Sequence, residues 1–238
     1  MKIIDKIRKY QNQNLPFYSF EFFPPKTESG MHNFYTRLER MAVFEPAFVD
    51  ITWGTSDKVD LRSLDMSQNI QKYFGLDVLM HLTCAHQTIP EIRVILEKAK
   101  DAGVKNILAL RGDLSENTKL TAENFQYSSQ LTQYIRQEFP DYFGIAVGGY
   151  PEGHHEAKSK TDSISYLKQK IDAGADFVIT QLFYDIDVFR KFVSDCRAAV
   201  IDCPIIPGNM PLLNYRRVHA FVKICYITVP EHIGKELN

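Results

Sequence analysis

Glu21 lies within the segment SFEFFPPK, residues 19–26, directly before two prolines. Alternation along a strand places Glu21 on the same face as Ser19 and opposite the aromatic Phe20 and Phe22. A carboxylate with apolar neighbours is poorly solvated, which favours its protonated form and lets it donate a proton near neutral pH. The alternative is an acid that forms a structural ion pair with an Arg or Lys. This segment alone leaves both interpretations open.

The composition describes a chain with no strong electrostatic preference. It has 238 residues, 45% of them hydrophobic, and a formal net charge of -1, which predicts one globular domain over residues 1–238 and no nucleic-acid partner. Neither a secretion signal nor a run of transmembrane length is present in the sequence, so we expect a cytoplasmic location without a membrane partner. The four cysteines form no CxxC pair and no zinc-type pattern with the seven histidines, which predicts neither disulfides nor a metal site.

Short runs of β-branched and aromatic residues recur about every thirty residues, a spacing typical of βα units. Helical patterns lie between these runs, for example the apolar Ile92, Ile95 and Leu96 after Pro90. A doubly wound sheet usually has a glycine-rich turn after its first strand, and the chain contains no GxGxxG. The pattern therefore predicts an α/β fold of the TIM-type (β/α) barrel class. Its candidate strands are 17–23, 47–53, 77–84, 106–112, 144–150, 177–183 and 205–208.

Polar residues stand at the carboxyl end of every predicted strand. In a barrel, functional groups come from the carboxyl ends of several strands, so these residues are expected to share one rim. They are Glu21, Thr52 with Trp53, His81 with Thr83, Arg111 with Asp113, Tyr150 with His154, Gln181, and Asn209.

The same segments resemble the methylenetetrahydrofolate reductase family, flavoproteins of one-carbon metabolism that reduce 5,10-methylenetetrahydrofolate to 5-methyltetrahydrofolate for methionine biosynthesis. The resemblance implies a TIM-type (β/α)8 barrel with FAD across the strand ends, NADH or NADPH as electron donor, and a homo-oligomer. The combination of SFEFFPP, LRGD and ITQLF is specific. The matching blocks are SFEFFPPK, DITWG at 50–54, HLTC at 81–84, LALRGD at 108–113, YPEGH at 150–154, LKQKIDAGADFVITQLFYD at 167–185 and IIPGNMP at 205–211.

The mechanism that this resemblance implies is ping-pong. A nicotinamide gives a hydride to the flavin and leaves, so that the folate can stack on the same flavin face. Glu21 would protonate N10 of the folate, opening its five-membered ring to an N5 iminium that accepts the hydride. Asp113 would act beside it as a second catalytic carboxylate near both flavin and folate.

The resemblance also assigns cofactor contacts along the chain. Five of these residues have plain alternatives. They are Arg111 in an ion pair with a helix acid, His81 as a core histidine with its bonds satisfied, Trp53 as ordinary core, His154 as one of two solvated loop histidines with His155, and Lys170 on a solvated helix face. Counting back from Lys170, the family's ribose-binding aspartate falls on Ser163, so Asp162 takes this role only through a local shift. The implied cofactor residues are Thr52, Trp53, Thr55, His81, Arg111, Gly112, Asp113, Ser128, Tyr150, His154, Ala157, Asp162 and Lys170.

Three residues are implied to bind the folate. Gln181 can both donate and accept a hydrogen bond, which suits the amide-like edge of a pterin, although it could instead bond strand backbone. Asp113 is expected to contact the same substrate. Phe221 matches a stacking aromatic of the family by position only, and it could equally belong to the core.

The chain stops at Asn238, where the resemblance calls for a further helix and an eighth strand. We therefore expect a barrel that lacks its final strand-helix region, either abbreviated or completed by a partner. Two other function classes stay open on this account. One is a noncatalytic flavin- or folate-binding subunit, and the other is a flavin-free pterin-dependent methyltransferase.

Overall fold

The computed structural model describes residues 1–53, 61–114, 120–212, 218, 222 and 224–236. Strands and helices alternate along these ranges, as the βα spacing predicts. The strands are β1 (Ser19–Phe22), β2 (Phe48–Ile51), β3 (Val78–Thr83), β4 (Asn106–Leu110), β5 (Gly144–Gly149), β6 (Phe177–Leu182) and β7 (Ile205–Gly208). The helices are α1 (Ile3–Asn12), α2 (Glu28–Ala42), α3 (Arg62–Phe74), α4 (Ile89–Asp101), α5 (Ser128–Glu138), α6 (Lys160–Asp172), α7 (Ile186–Ala198) and α8 (Glu231–Glu236).

All seven predicted strands are confirmed, each within about two residues of its expected bounds. They form one sheet in the order β1-β2-β3-β4-β5-β6-β7, and β1 to β4 pair in parallel, as do β6 and β7. This consecutive order with intervening helices is the TIM-type (β/α) architecture, with seven strands in the described part of the chain. By contact density the chain divides into two compact units, Met1–Ala146 and Val147–Asn238.

In the first unit, β1 to β3 bury one face against helices α2 and α3. Phe22 of β1 meets Phe34 of α2 edge-to-face, with 5.4 Å between ring centroids. The remaining members of this cluster include Leu38, Val49, Ile51, Met66, Ile70 and Val78. Because side chains alternate along a strand, Glu21 and Asp50 face the opposite side of the sheet, away from these helices. The hydrophobic pattern thus determines which face is free for chemistry.

Local signals in the sequence set the helix boundaries. Thr88 and Glu91 form a reciprocal capping box at the start of α4, with Pro90 in its first turn. Gly75 adopts a left-handed conformation, φ 67°, and ends α3. The predicted apolar face of α4 is buried, including Ile92 and Ile95.

In the second unit, two glycines allow close approach of neighbouring elements. A Cβ on Gly149 would lie 2.7 Å from Val178 Cγ1 and 3.0 Å from the ring of Phe192, so the glycine lets β5 pack closely. The Gly208 N–H donates to Thr180 Oγ1 at 2.9 Å, which ties β7 to β6 just before the end of β6. Gln181 follows directly, so this contact helps to place it.

The described residues contain no helix that is long and apolar enough to cross a membrane, and no cluster of three or more potential metal ligands. All four cysteines are free thiols. Cys84 and Cys196 are buried, whereas Cys203 and Cys225 are partly accessible. The predicted site residues Thr55 and Phe221 lie outside the described ranges.

Candidate active site

Strand pairing brings two carboxylates side by side at the end of β1. Glu21 of β1 is the register partner of Asp50 of β2. Paired residues of parallel neighbours lie on the same face, so both side chains occupy the face opposite the helices. The Thr52 N–H donates to Phe22 O at 3.0 Å and holds the ends of the two strands together. The site is thus built on rigid strand backbone.

The electrostatics around Glu21 favour its protonated form. Burial raises the pKa of its carboxyl, the charge of His81 lowers it, and the charge of Asp50 raises it. The predicted direction of the pKa shift is therefore confirmed, although the rings of Phe20 and Phe22 are not its cause because they face the other way. Glu21 stays reachable by solvent at the strand end, whereas Asp50 beside it is only 3% exposed.

Asp50 and His81 form the inner part of this cluster. His81 Nε2 lies 3.8 Å from Asp50 Oδ1, which is beyond hydrogen-bond distance, and His81 is 5% exposed. Burial raises the pKa of Asp50, and both His81 and the Ser19 hydroxyl oppose that rise. The interpretation of His81 as a satisfied core histidine does not hold for its Nε2 atom, which has no hydrogen-bond partner.

Several buried polar atoms near these strand ends are unsatisfied within the described residues. Buried polar groups in native proteins are nearly always hydrogen-bonded, so a concentration of exceptions among the described residues marks a candidate ligand site. The atoms at the ends of β2 and β3 are Asp50 Oδ1, Thr52 Oγ1, Trp53 Nε1 and His81 Nε2. Thr52 and Trp53 are themselves buried, at 8% and 6% exposure.

The Arg111–Asp113 segment continues the rim after β4. Gly112 has φ +88°, and a Cβ there would lie 3.1 Å from Thr83 Cβ, so a side chain would be both strained and crowded. The Ala85 N–H donates to Arg111 O at 2.8 Å, and His86 Nε2 lies 2.9 Å from Asp113 O. These bonds fix the turn against the loop that follows β3.

The remaining residue expected in the first unit is Ser128. It is the first residue of α5 and is 8% exposed. Its carbonyl accepts a hydrogen bond from Thr132 Oγ1 at 2.9 Å.

In the second unit, the loop after β5 holds Tyr150 and His154 in contact. Their rings meet edge-to-face with centroids 4.6 Å apart. The Ala157 N–H donates to His154 O at 2.9 Å, which gives this loop a regular turn. His154 is half-buried and His155 is exposed, so the alternative of two solvated histidines describes His155 better than His154.

Lys170 reaches the same loop from α6. Its Nζ donates to Gly148 O at 2.8 Å and lies 5.3 Å from the centre of the Tyr150 ring. The alternative of a fully solvated helix residue is therefore wrong, and the cation is positioned at the end of β5.

The structure separates the roles of Asp162 and Ser163. Ser159 caps α6 and donates from its hydroxyl to Asp162 Oδ2 at 2.9 Å, so the Asp162 carboxylate serves the helix start. Ser163 is 7% exposed, and its Oγ accepts the His154 N–H at 3.1 Å. Ser163 is thus the residue of the two that is tied to the loop.

Gln181 lies half-buried near the end of β6. Its Oε1 accepts the Leu182 N–H at 2.9 Å, which is the backbone bond that the alternative interpretation expects. Among the described residues its amide nitrogen has no partner, so donors remain for a ligand.

Comparison with known proteins decides the family. The sequence matches the family model described as Methylenetetrahydrofolate reductase over residues 6–238. The chain belongs to the methylenetetrahydrofolate reductase family. It is 40% identical over 250 residues to methylenetetrahydrofolate reductase (NADH) 1 of Arabidopsis thaliana and 43% identical over 246 residues to methylenetetrahydrofolate reductase 2 of Saccharomyces cerevisiae. It is 35% identical over 212 residues to the 5,10-methylenetetrahydrofolate reductase of Escherichia coli.

The share of each reductase that is matched differs. The whole chain aligns with 42% of the Arabidopsis protein and 41% of the yeast protein, so it spans about two fifths of their length. Against the E. coli reductase, 89% of the chain aligns with 70% of that protein.

Solved structures support the fold. An uncharacterized protein from Clostridium thermocellum, which binds two copies of 5-methyl-5,6,7,8-tetrahydrofolic acid, superposes with a TM-score of 0.67 at 17% identity, covering 97% of this chain and 78% of that one. A 2,3-dimethylmalate lyase superposes with a TM-score of 0.58 at 10% identity, covering 94% of this chain and 86% of that one.

Sequence reasoning missed Asp50 and left the choice between Asp162 and Ser163 open. Asp50 lies inside a strand, where only its register partner reveals its role. Ser163 was recognised as the aligned position, but the bond to the His154 N–H depends on the folded loop. For Asp162, the Ser159-to-Asp162 spacing of a helix cap was a readable signal.

Proposed function

We propose that this chain catalyses the reduction of 5,10-methylenetetrahydrofolate to 5-methyltetrahydrofolate, with FAD as cofactor and NADH or NADPH as electron donor. The observation that carries the proposal is the acid cluster at the ends of β1 to β3. There the pKa of Glu21 is raised by burial, beside buried polar atoms that lack partners. Membership of the reductase family supports the reaction class.

The residues of the first unit fit a planar heteroaromatic ring. Trp53 Nε1 is a donor, Thr52 Oγ1 can donate or accept, and His81 Nε2 does either according to its tautomer. A flavin ring has nitrogen and oxygen atoms along its edge that match this set. Gly112, which a Cβ would crowd, allows backbone to approach such a ring closely.

Within each unit, a positively charged residue is a candidate contact for the rest of the cofactor. Arg111 has a planar, permanently charged fork that suits phosphate or the electron-rich edge of a ring. In the second unit, Lys170 supplies a positioned cation, and Tyr150 with His154 supplies ring surface and a hydrogen-bonding loop. Ser163, rather than Asp162, is the better placed of the two to contact a ligand at that loop.

When bound, FAD supplies the hydride chemistry, accepting a hydride from the nicotinamide and delivering it to the folate. Glu21 would give its proton to N10 of the methylene-folate, so the carbon-nitrogen bond to N10 breaks and the remaining methylene carbon can take the hydride. Glu21 becomes a carboxylate in this step. Asp113 would favour the positive charge that develops on the folate, and the free amide donors of Gln181 would hold the pterin edge.

Anaerobic half-reactions on the purified chain test the proposal. We expect a yellow protein whose visible absorption is bleached by NADH or NADPH and restored by methylenetetrahydrofolate, with 5-methyltetrahydrofolate as the product. A yellow protein that binds folate but exchanges electrons with neither reactant would contradict the proposal and support a noncatalytic binding subunit. A colourless protein that takes up no added FAD would contradict it as well.

A further inference from the structure

One buried carboxylate in the first unit has no role in the reaction proposed above. Asp50 is 3% exposed, and its Oδ1 has no hydrogen-bond partner among the described residues. An isolated ionised carboxylate is costly to bury, so such a group is normally neutralised, paired or replaced. Asp50 has instead a second carboxylate as its register partner and a histidine at 3.8 Å.

Asp50 and Glu21 differ in the groups that surround their carboxyls. On the inner side, Asp50 has both the Ser19 hydroxyl and His81, which favour its charged form. Glu21 receives no hydrogen bond on its carboxylate from any described residue. The charge of Asp50 raises the pKa of Glu21, whereas Glu21 is not among the groups that shift the pKa of Asp50. This asymmetry favours the charge on Asp50 and the proton on Glu21.

We propose that Asp50 is a positioning residue for Glu21, whose negative charge keeps the Glu21 carboxyl protonated until substrate takes the proton. Two carboxyl groups on neighbouring positions repel each other when both are ionised, so the charge of one raises the pKa of the other. Asp50 acts only through Glu21 and does not itself transfer the proton. The role in catalysis rests on the proposed reductase function, but the control of the Glu21 proton is a property of this chain alone.

Among the described residues, three groups act on this pair electrostatically or by hydrogen bonds from neighbouring strands, besides burial. On Glu21 act Asp50 from β2 and His81 from β3, and on Asp50 act His81 and the hydroxyl of Ser19 from β1. The raised pKa of Glu21 is consistent with this arrangement. Burial is its largest cause, and the charge of Asp50 raises the pKa further. Removing the charge of Asp50 withdraws that contribution, so Glu21 should lose its proton at lower pH.

Carbon-13 NMR of protein labelled at the glutamate side-chain carboxyl tests this without flavin or folate. The Glu21 resonance is assigned by its loss in Glu21→Gln, and its titration midpoint is compared between the wild-type chain and Asp50→Asn. We expect the midpoint to move to lower pH in Asp50→Asn and to stay in place in the control Asp101→Asn, which removes an exposed carboxylate from α4. An unchanged midpoint in folded Asp50→Asn, or a midpoint moved to higher pH, would overturn the proposal.

A kinetic arm separates this inference from the proposed function. In Asp50→Asn, the rate of reoxidation by methylenetetrahydrofolate should begin to fall at a lower pH than in the wild-type chain. At alkaline pH this rate should be about tenfold lower for each pH unit by which the Glu21 midpoint has moved, while reduction by NADH keeps its pH profile. If the Glu21 midpoint moves but no variant or wild-type protein reduces folate, the inference stands and the proposed function fails. Weaker folate binding with an unmoved Glu21 midpoint would make Asp50 a substrate contact and overturn the inference.

Discussion

Asn106 hydrogen-bonds the start of the chain to the strands beside the acid cluster. Its replacement should therefore lower the free energy of unfolding. It is completely buried at the start of β4. Its Oδ1 accepts the Ile3 N–H at 2.7 Å, and its Nδ2 donates to Met1 O at 3.1 Å and Val78 O at 3.3 Å. Asn106 is also the register partner of Leu79, which is in turn the partner of Asp50.

The change Asn106→Leu keeps the number and branching of the side-chain heavy atoms and removes all three hydrogen bonds. The Ile3 N–H is left unpaired in a buried position at a cost of about 2 kcal/mol, and the Val78 carbonyl adds about 1 kcal/mol. Met1 is 66% exposed, so its carbonyl can turn to water at little cost. The expected loss in the free energy of unfolding is about 3 kcal/mol, a large part of the 5–15 kcal/mol typical of a domain.

Urea denaturation followed by far-ultraviolet circular dichroism measures this loss. The matched control is Asn69→Leu, which removes a single partly buried bond from Asn69 Nδ2 to the Tyr35 hydroxyl at 3.2 Å, and it should cost about 1 kcal/mol or less. Trp53, the only tryptophan, gives a second signal from the end of β2. An Asn106→Leu loss no larger than that of the control would refute the reasoning.

Three further predictions concern single elements. Gly208→Ala should cost about 3 kcal/mol in thermal denaturation, because the new Cβ would lie 2.3 Å from a backbone carbonyl oxygen of β6, whereas Gly234→Ala meets nothing within 4 Å and should be nearly neutral. Thr88→Ala should cost about 1 kcal/mol at neutral pH through loss of the helix cap. Backbone and side-chain hydrogen bonds from Thr88 lower the pKa of Glu91, so this stabilisation is present above the ordinary Glu pKa and is lost as the pH falls through the folded value. A difference between wild type and variant that grows in acid would contradict that assignment. Burial raises the pKa of Cys84 to about 12, so a thiol reagent at pH near 8 should modify it, by mass spectrometry, only after unfolding.

The strands were predictable because each is a short apolar run bounded by residues that disfavour strands. A strand that is buried on one or both faces must consist largely of apolar residues, so its sequence is easy to recognise. The position of Glu21 opposite the aromatic side chains followed from alternation alone. The β/α order then placed the carboxyl ends of the strands on a common edge. These features depend on local sequence, which is why they could be predicted from the sequence alone.

The pairing of Glu21 with Asp50 was not predictable in the same way. Register between β1 and β2 depends on how both strands pack on α2 and α3, and a shift by one residue would turn Asp50 toward those helices. The attachment of Lys170 to Gly148 O likewise depends on the tertiary approach of α6 to β5. Electrostatic coupling between strands is therefore the part of the site that only the folded chain reveals.

Anaerobic stopped-flow comparison of wild type and Glu21→Gln tests the central claim most directly. Gln keeps the size and polarity of Glu21 but cannot supply the proton. The account predicts flavin reduction by NADH within about twofold of wild type and folate-dependent reoxidation slowed by about 10²–10⁴-fold, the usual contribution of a general acid. Equal loss in both half-reactions, or unchanged rates in both, would contradict it.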